Sequence, residues 1–149
     1  MSNITHSEVN IIISIDPGSS KTGIAVINTG KEILERKIVP TKKLENEIKS
    51  CISTHNPDII IMGDGTWSRR VKPRVEKVRG ELPFCLVNEK HSTEKARLRY
   101  YKENPPKGFW KLIPVTLQAP PEPYDDLAAV IIAEDYIDKR LNENIENME

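Results

Sequence analysis

Five carboxylates stand where apolar stretches of the chain end or begin: Asp16, Asp64, Glu89, Asp125 and Asp126. Asp16 closes the β-branched run 9–15 (VNIIISI), Asp64 follows 58–62 (DIIIM), and Glu89 follows 83–87 (PFCLV). Asp125 and Asp126 open the helical stretch 125–141. If the first and fourth strands are neighbours, Asp16 and Asp64 share one rim of a sheet. Carboxylates gathered in this way repel one another and call for cations, and their hard oxygens favour Mg²⁺ or Mn²⁺. Two such ions would activate a water and stabilise the attacking and leaving oxygens of a phosphodiester. Each residue also has a plainer use. Asp16 before Pro17-Gly18 suits a turn, and Asp125 or Asp126 suits a helix N-cap favoured by the dipole.

Only certain elements could bring these residues together. Stretches 9–15, 22–27 and 32–39 read as strands joined by turns at Pro17-Gly18 and Asn28-Thr29-Gly30, which makes an antiparallel meander. Leu44, Ile48 and Ile52 recur at helical spacing, and Asn56-Pro57 should end that helix. A strand at 58–62 after a helix implies a crossover, hence a mixed sheet. Residues 68–79 read as a basic helix containing Pro73, 83–87 as the fifth strand, and 92–102 as a helix capped by Ser92 or Thr93. Six of the eleven prolines fall between 105 and 123, an ordered but irregular connection. The last helix carries Leu127, Val130, Ile131, Ile137 and Leu141 near one face, and the polar residues 142–149 read as a frayed tail. The order β-β-β-α-β-α-β-α-α predicts one α/β domain over residues 1–149, with a five-stranded mixed sheet flanked by helices.

Net charge is zero, with 22 basic and 22 acidic side chains, but the charges are unevenly placed. Residues 69–111 hold 13 basic and 5 acidic groups, a balance of +8, whereas residues 112–149 hold 2 and 9, a balance of −7. A basic middle beside an acidic end suits a phosphate-binding surface next to a cation-binding cluster; two solvated faces that attract one another would look the same. Arg69, Arg70, Lys72, Arg74, Lys77 and Arg79 form a candidate phosphate track, which Arg97, Arg99, Lys102, Lys107 and Lys111 could extend. Trp67, Tyr101, Phe109 and Trp110 beside them could stack on exposed bases or fill core. Lys21 and the 17–23 loop could hold a phosphate, or form a simple hairpin turn. His91, next to Glu89, reads as an ordinary helix-start histidine, with assistance to proton transfer as the sharper alternative.

Composition excludes other classes. At 149 residues, 38% hydrophobic and 30% charged, the chain matches a folded domain rather than a disordered one. No apolar run is long enough to span a bilayer, and the N-terminus lacks the pattern of a signal peptide. Cys51 and Cys85 have no CxxC spacing, so neither a disulfide framework nor a cysteine zinc site is indicated. A cytoplasmic protein with no membrane partner is expected.

The segment Ile15-Asp16-Pro17-Gly18-Ser19-Ser20-Lys21-Thr22-Gly23-Ile24-Ala25-Val26 resembles the opening motif of RNase H-like nucleases of the RuvC and YqgF type. Val87-Asn88-Glu89-Lys90-His91-Ser92-Thr93 is similar to the second YqgF motif, and Asp125-Asp126-Leu127-Ala128-Ala129 to the third. Stretches 96–101, 105–108 and 120–126 resemble a YqgF-like subfamily of short bacterial proteins. The resemblance covers about residues 11–137 and implies an RNase H-like fold. It implies Asp16 as the metal-bridging carboxylate, with Glu89 and Asp125 as further catalytic ligands to Mg²⁺ or Mn²⁺. Asn88 stands where the family usually has aspartate, and Lys90 where it has arginine. The RuvC pattern instead places a carboxylate after the fourth strand, which Asp64 matches better than Glu89, and an acid three residues before Asp125, here Glu122.

The expected activity is a metal-dependent nuclease. The YqgF resemblance implies structured RNA such as precursor ribosomal RNA as the leading substrate. The RuvC resemblance implies four-way DNA junctions, for which a two-fold dimer is needed, whereas RNA trimming can use a monomer. A nucleic-acid-binding module without catalysis is the alternative from another class, kept open by Asn88 and Lys90. An ATPase-like domain opening with the same Asp-x-Gly would need a second phosphate-binding domain, for which 149 residues leave no room.

Overall fold

The computed structural model describes residues 9–88, 92–105 and 125–147; the side chains at 92–94, 97, 125 and 144–147 lie outside that description. Strands β1 (Ile11–Asp16), β2 (Lys21–Asn28), β3 (Ile33–Pro40), β4 (Ile59–Gly63) and β5 (Phe84–Val87) form one sheet ordered β3-β2-β1-β4-β5. The β1–β2 and β2–β3 pairs are antiparallel; β1–β4 and β4–β5 are parallel. Short turns can join only antiparallel neighbours, while each later strand follows a helix. The four helices are α1 (Leu44–His55), α2 (Ser68–Val78), α3 (Ser92–Glu103) and α4 (Asp125–Asn147).

Strands β1 and β4 are covered on both faces, which explains their almost uninterrupted apolar sequence. On one face Ile13, Ile15, Ile60 and Met62 pack with Leu44 and Ile48 of α1 and Val71 and Val75 of α2. On the other, Ile12, Ile27, Ile59 and Ile61 pack with Ala129, Val130, Ile132 and Ile137 of α4. Helix α3 lies against α4 through Ala96, Leu127, Ala128 and Ile131. At the start of the sheet, Asp58 Oδ2 accepts the N–H groups of Asn10 and Ile11, each at 2.9 Å, and anchors β1 to the chain entering β4.

Helix α1 ends where expected. Asn56 takes the left-handed conformation (φ 49°), its N–H bonds to Ile52 O, and Pro57 follows. Pro73 is tolerated inside α2, where it and Arg69, the residue whose carbonyl its missing N–H would have met, are both exposed. The end of the chain differs from the sequence expectation. Helix α4 runs to Asn147, so the residues read as a frayed tail from 142 onward continue the helix; none of 142–147 is proline or glycine. Leu141, assigned to the apolar face, is 53% exposed, because the core-facing stripe of α4 ends at Ile137.

Candidate nucleic-acid site at the carboxyl ends of β1 and β4

Asp16 is the last residue of β1, half-buried and paired with Gly23 of β2. Side chains alternate along a strand, so Asp16 shares the α4-facing side with Ile12 and Ser14. Ile15 is beside Met62, which brings Gly63 level with Asp16 and the exposed Asp64 one residue further on the same rim. The Asp64 N–H donates to Val87 O at 3.0 Å, fastening the end of β4 to the end of β5.

The loop after Asp16 is closed by a ring of hydrogen bonds. Thr41 Oγ1 donates to Gly18 O at 3.0 Å. The 2.9 Å contact between the buried Thr22 and Thr41 hydroxyls must then be donated by Thr22, since the Thr41 proton is already used. Thr22 Oγ1 in turn accepts the Gly18 N–H at 3.5 Å, and Thr41 N–H donates to Ser20 O at 2.9 Å. Gly18 has no alternative here: a Cβ on it would lie 2.2 Å from the Lys21 carbonyl oxygen. Lys21, exposed at the start of β2, therefore projects from a pinned loop beside Asp16.

Helix α4 begins over this rim and runs antiparallel to β1. Its later turns reach the opposite end of the sheet, where Asp138 pairs with Lys31 at 2.7 Å. Near its start the Ser14 hydroxyl donates to Ala129 O at 2.7 Å. Position 125 lies one turn before Ala129. The Asp126 carboxylate is engaged elsewhere: one oxygen accepts the Leu127 N–H at 3.0 Å, and the other lies 3.3 Å from Arg36 Nε on β3.

Among the cations read as a phosphate track, Arg69, Arg70 and Lys72 are exposed on α2, and the Arg70 guanidinium lies 5.1 Å from the Trp67 ring centre. Arg74 has a packing role, donating to both oxygens of Glu45 and to Thr41 O. That contact holds the Glu45 carboxyl below the usual carboxylate range. Arg99 pairs with Glu134 at 2.7 Å and with Glu103 at 3.7 Å, and Tyr101 is buried edge-on to Tyr100. Glu89, Lys90, His91, Lys107, Phe109, Trp110, Lys111 and Glu122 lie outside the described residues, as do the side chains of Arg97 and Asp125. Among the described residues, no group of three or more His, Cys, Asp or Glu side chains is placed to hold a metal ion, and no helix is long and apolar enough to cross a membrane.

Sequence reasoning passed over Ser14, Thr22, Arg36 and Thr41. Ser14 left a signal, as the only polar side chain within the run Ile11 to Ile15, whereas Thr41 and Arg36 are recognisable only from their distant partners.

The RuvC of Thermus thermophilus, solved in complex with a Holliday junction substrate, superposes with a TM-score of 0.60 over 89% of this chain and 96% of its own, at 14% sequence identity. This chain has the RuvC-like RNase H fold. A second Thermus thermophilus RuvC structure matches with a TM-score of 0.59 at 13% identity, covering 88% of this chain and 96% of the other. In sequence, the crossover junction endodeoxyribonuclease RuvC of Dictyoglomus turgidum is 23% identical over 97 residues, covering 56% of this chain. The matched region spans 61% of that relative's length. No protein-family model matches.

Proposed function

We propose that this RuvC-like chain is a divalent-cation-dependent endonuclease acting on branched or otherwise structured nucleic acid. The observation that supports the proposal is that Asp16, Asp64 and the first turn of α4 share one rim, with Lys21 exposed at the start of β2 and Arg69 and Arg70 exposed in the first turn of α2, the helix that follows Asp64. The donor set fits a hard ion, since every candidate ligand is a carboxylate oxygen and Asp16 is half-buried on a central strand. Asp16, Asp125 and Glu89 would hold the ion or ions, with Asp64 on the same rim as a further ligand. Asp126 is left to its contacts with Arg36 and Leu127. Bound there, Mg²⁺ or Mn²⁺ supplies Lewis-acid activation of water and neutralises charge developing on the phosphodiester.

The chain's own contribution is rigidity and position. The Thr22–Thr41 ring fixes the loop after Asp16, so that carboxylate does not reorganise when a charged substrate approaches. Lys21, Arg69, Arg70 and Lys72 attract and register the phosphate backbone, and the Trp67 ring beside Arg70 offers a stacking face. Likeness to a RuvC solved on a Holliday junction favours four-way DNA as substrate. The YqgF-like residues around Glu89 and Asp125 favour structured RNA as the second reading.

Cleavage of labelled four-way junctions, linear duplex and precursor ribosomal RNA fragments, with Mn²⁺, Mg²⁺ or EDTA, tests this. Metal-dependent cutting should vanish in Asp16→Asn. The triple variant Arg69→Gln, Arg70→Gln, Lys72→Gln should flatten the dependence of log Kobs on log salt by about 2–3 if each cation meets a phosphate. Cutting that survives Asp16→Asn would refute the assignment. Binding without cutting by the native chain would identify a catalytically silent module.

A further inference from the structure

Ser14 is a fully buried hydroxyl in the middle of an apolar strand. A buried hydroxyl is costly unless bonded, and this one donates to a backbone carbonyl of α4 at 2.7 Å. Ala25 stands beside it on β2 and Ile61 on β4, and the helix meets this face of the sheet through the small residues Ala129 and Ala133. Small residues on both surfaces let the helix come close to the sheet here. Hydrophobic contact alone is non-directional and would tolerate sliding of α4 along β1, whereas a hydrogen bond has one geometry.

The same row of the sheet carries a second tie. Ser14 pairs with Ala25, and Ala25 with Arg36 on β3. Arg36 Nε lies 3.3 Å from Asp126, and its Nη2 lies 3.6 Å from Glu103 at the end of α3. Their anchors on the sheet, Ser14 on β1 and Arg36 on β3, are about 10 Å apart across two strand spacings, so the ties at 126 and 129 oppose both translation and rotation of the helix.

We propose that Ser14 and Arg36 are positioning residues that set the register of α4 on β1 and so bring position 125 level with Asp16. The arithmetic follows from element geometry. From Ser14 to Asp16 is two residues of strand, ~6.6 Å, and from Ala129 back to position 125 is four residues of helix, ~6 Å, in the same direction because the elements are antiparallel. A bond made at Ser14 is therefore transmitted almost unchanged to the rim. The functional meaning rests on the nuclease reading above; the register itself does not.

The test separates the two. In a Cys85→Ser background, which removes the exposed thiol, Asp16→Cys and Asp125→Cys are introduced together and the rate of their disulfide closure is measured without metal or nucleic acid. Ser14→Ala should slow closure roughly five- to tenfold, and Ser14→Thr, which keeps the hydroxyl, should recover most of it. Arg36→Met should slow it similarly with Arg36→Lys intermediate; because Arg36 is at the surface, this pair serves if Ser14→Ala fails to fold by circular dichroism. Equal rates in all variants, or no closure in the parent pair, would overturn the positioning role. Mn²⁺ binding to chains with native Asp16 and Asp125, followed by electron paramagnetic resonance, tests the nuclease reading independently. Loss of affinity in Ser14→Ala and Arg36→Met is expected, and absence of binding by the native chain would refute the metal centre while leaving the closure result standing.

Discussion

Thr41→Val is the sharpest perturbation of the Asp16 loop, because it replaces a buried hydroxyl with a methyl of nearly the same size. The native Thr41 hydroxyl donates to Gly18 O at 3.0 Å and accepts from Thr22 at 2.9 Å. Valine leaves the Thr22 O–H, fully buried, without its acceptor, at a cost of about 1–3 kcal/mol. Gly18 O is only part-buried and can recruit water, so its loss adds little. The expected total is ~2 kcal/mol, or roughly 4–8 °C in Tm for a chain of this length. Thr22→Val should cost less, ~1 kcal/mol, since Thr41 keeps its bond to Gly18 and only the long 3.5 Å contact to Gly18 N–H is also lost. The double variant should cost less than the sum by about 1 kcal/mol, because the hydroxyl orphaned by Thr41→Val is no longer present. Urea denaturation of the four proteins measures all three quantities. A Thr41→Val cost below about 0.5 kcal/mol, or strict additivity, would refute the ring and its donor order.

Two other outcomes follow from neighbouring contacts. Gly18→Ala forces a Cβ to within 2.2 Å of the Lys21 carbonyl, which cannot yield as a flexible side chain would, so the loop must rebuild; a stability loss exceeding ~2 kcal/mol by urea denaturation is expected. Arg74 holds the Glu45 carboxyl below its ordinary value of 4.5, so this pair stabilises the fold above about pH 4.5 and the contribution disappears as pH falls through the lower folded value. Glu45→Gln should thus be less stable than the native chain near pH 6, by no more than ~1 kcal/mol at so accessible a site, with the gap closing toward pH 3 in thermal melts.

The order of elements was legible because each depends on local signals. The run 9–15 is strand-like wherever it is placed, Asn56-Pro57 stops a helix whatever lies beyond, and turns of a few residues leave no choice but antiparallel pairing. The rim shared by Asp16 and Asp64 was a consequence of that order once β1 and β4 were neighbours. Polarity alone does not mark the end of α4, since Asn142 to Asn147 has nothing that breaks a helix and the helix continues through it.

By itself, then, the sequence determined which residues end strands, open helices and carry charge, since those properties come from residue types within a few positions of one another. Only the tertiary structure decided which of them are committed to packing. Arg74 and Arg99 look no different in sequence from Arg69 and Arg70, yet the first two are neutralised by Glu45 and Glu134, 29 and 35 residues away, while the second two stay exposed. Asp125 and Asp126 are adjacent, but 100° of helical turn sends Asp126 toward Arg36 on the outermost strand. Ser14 gains its role from a carbonyl 115 residues away. Partners at such distances in the chain are fixed by how helices lie on the sheet, and no local pattern encodes that.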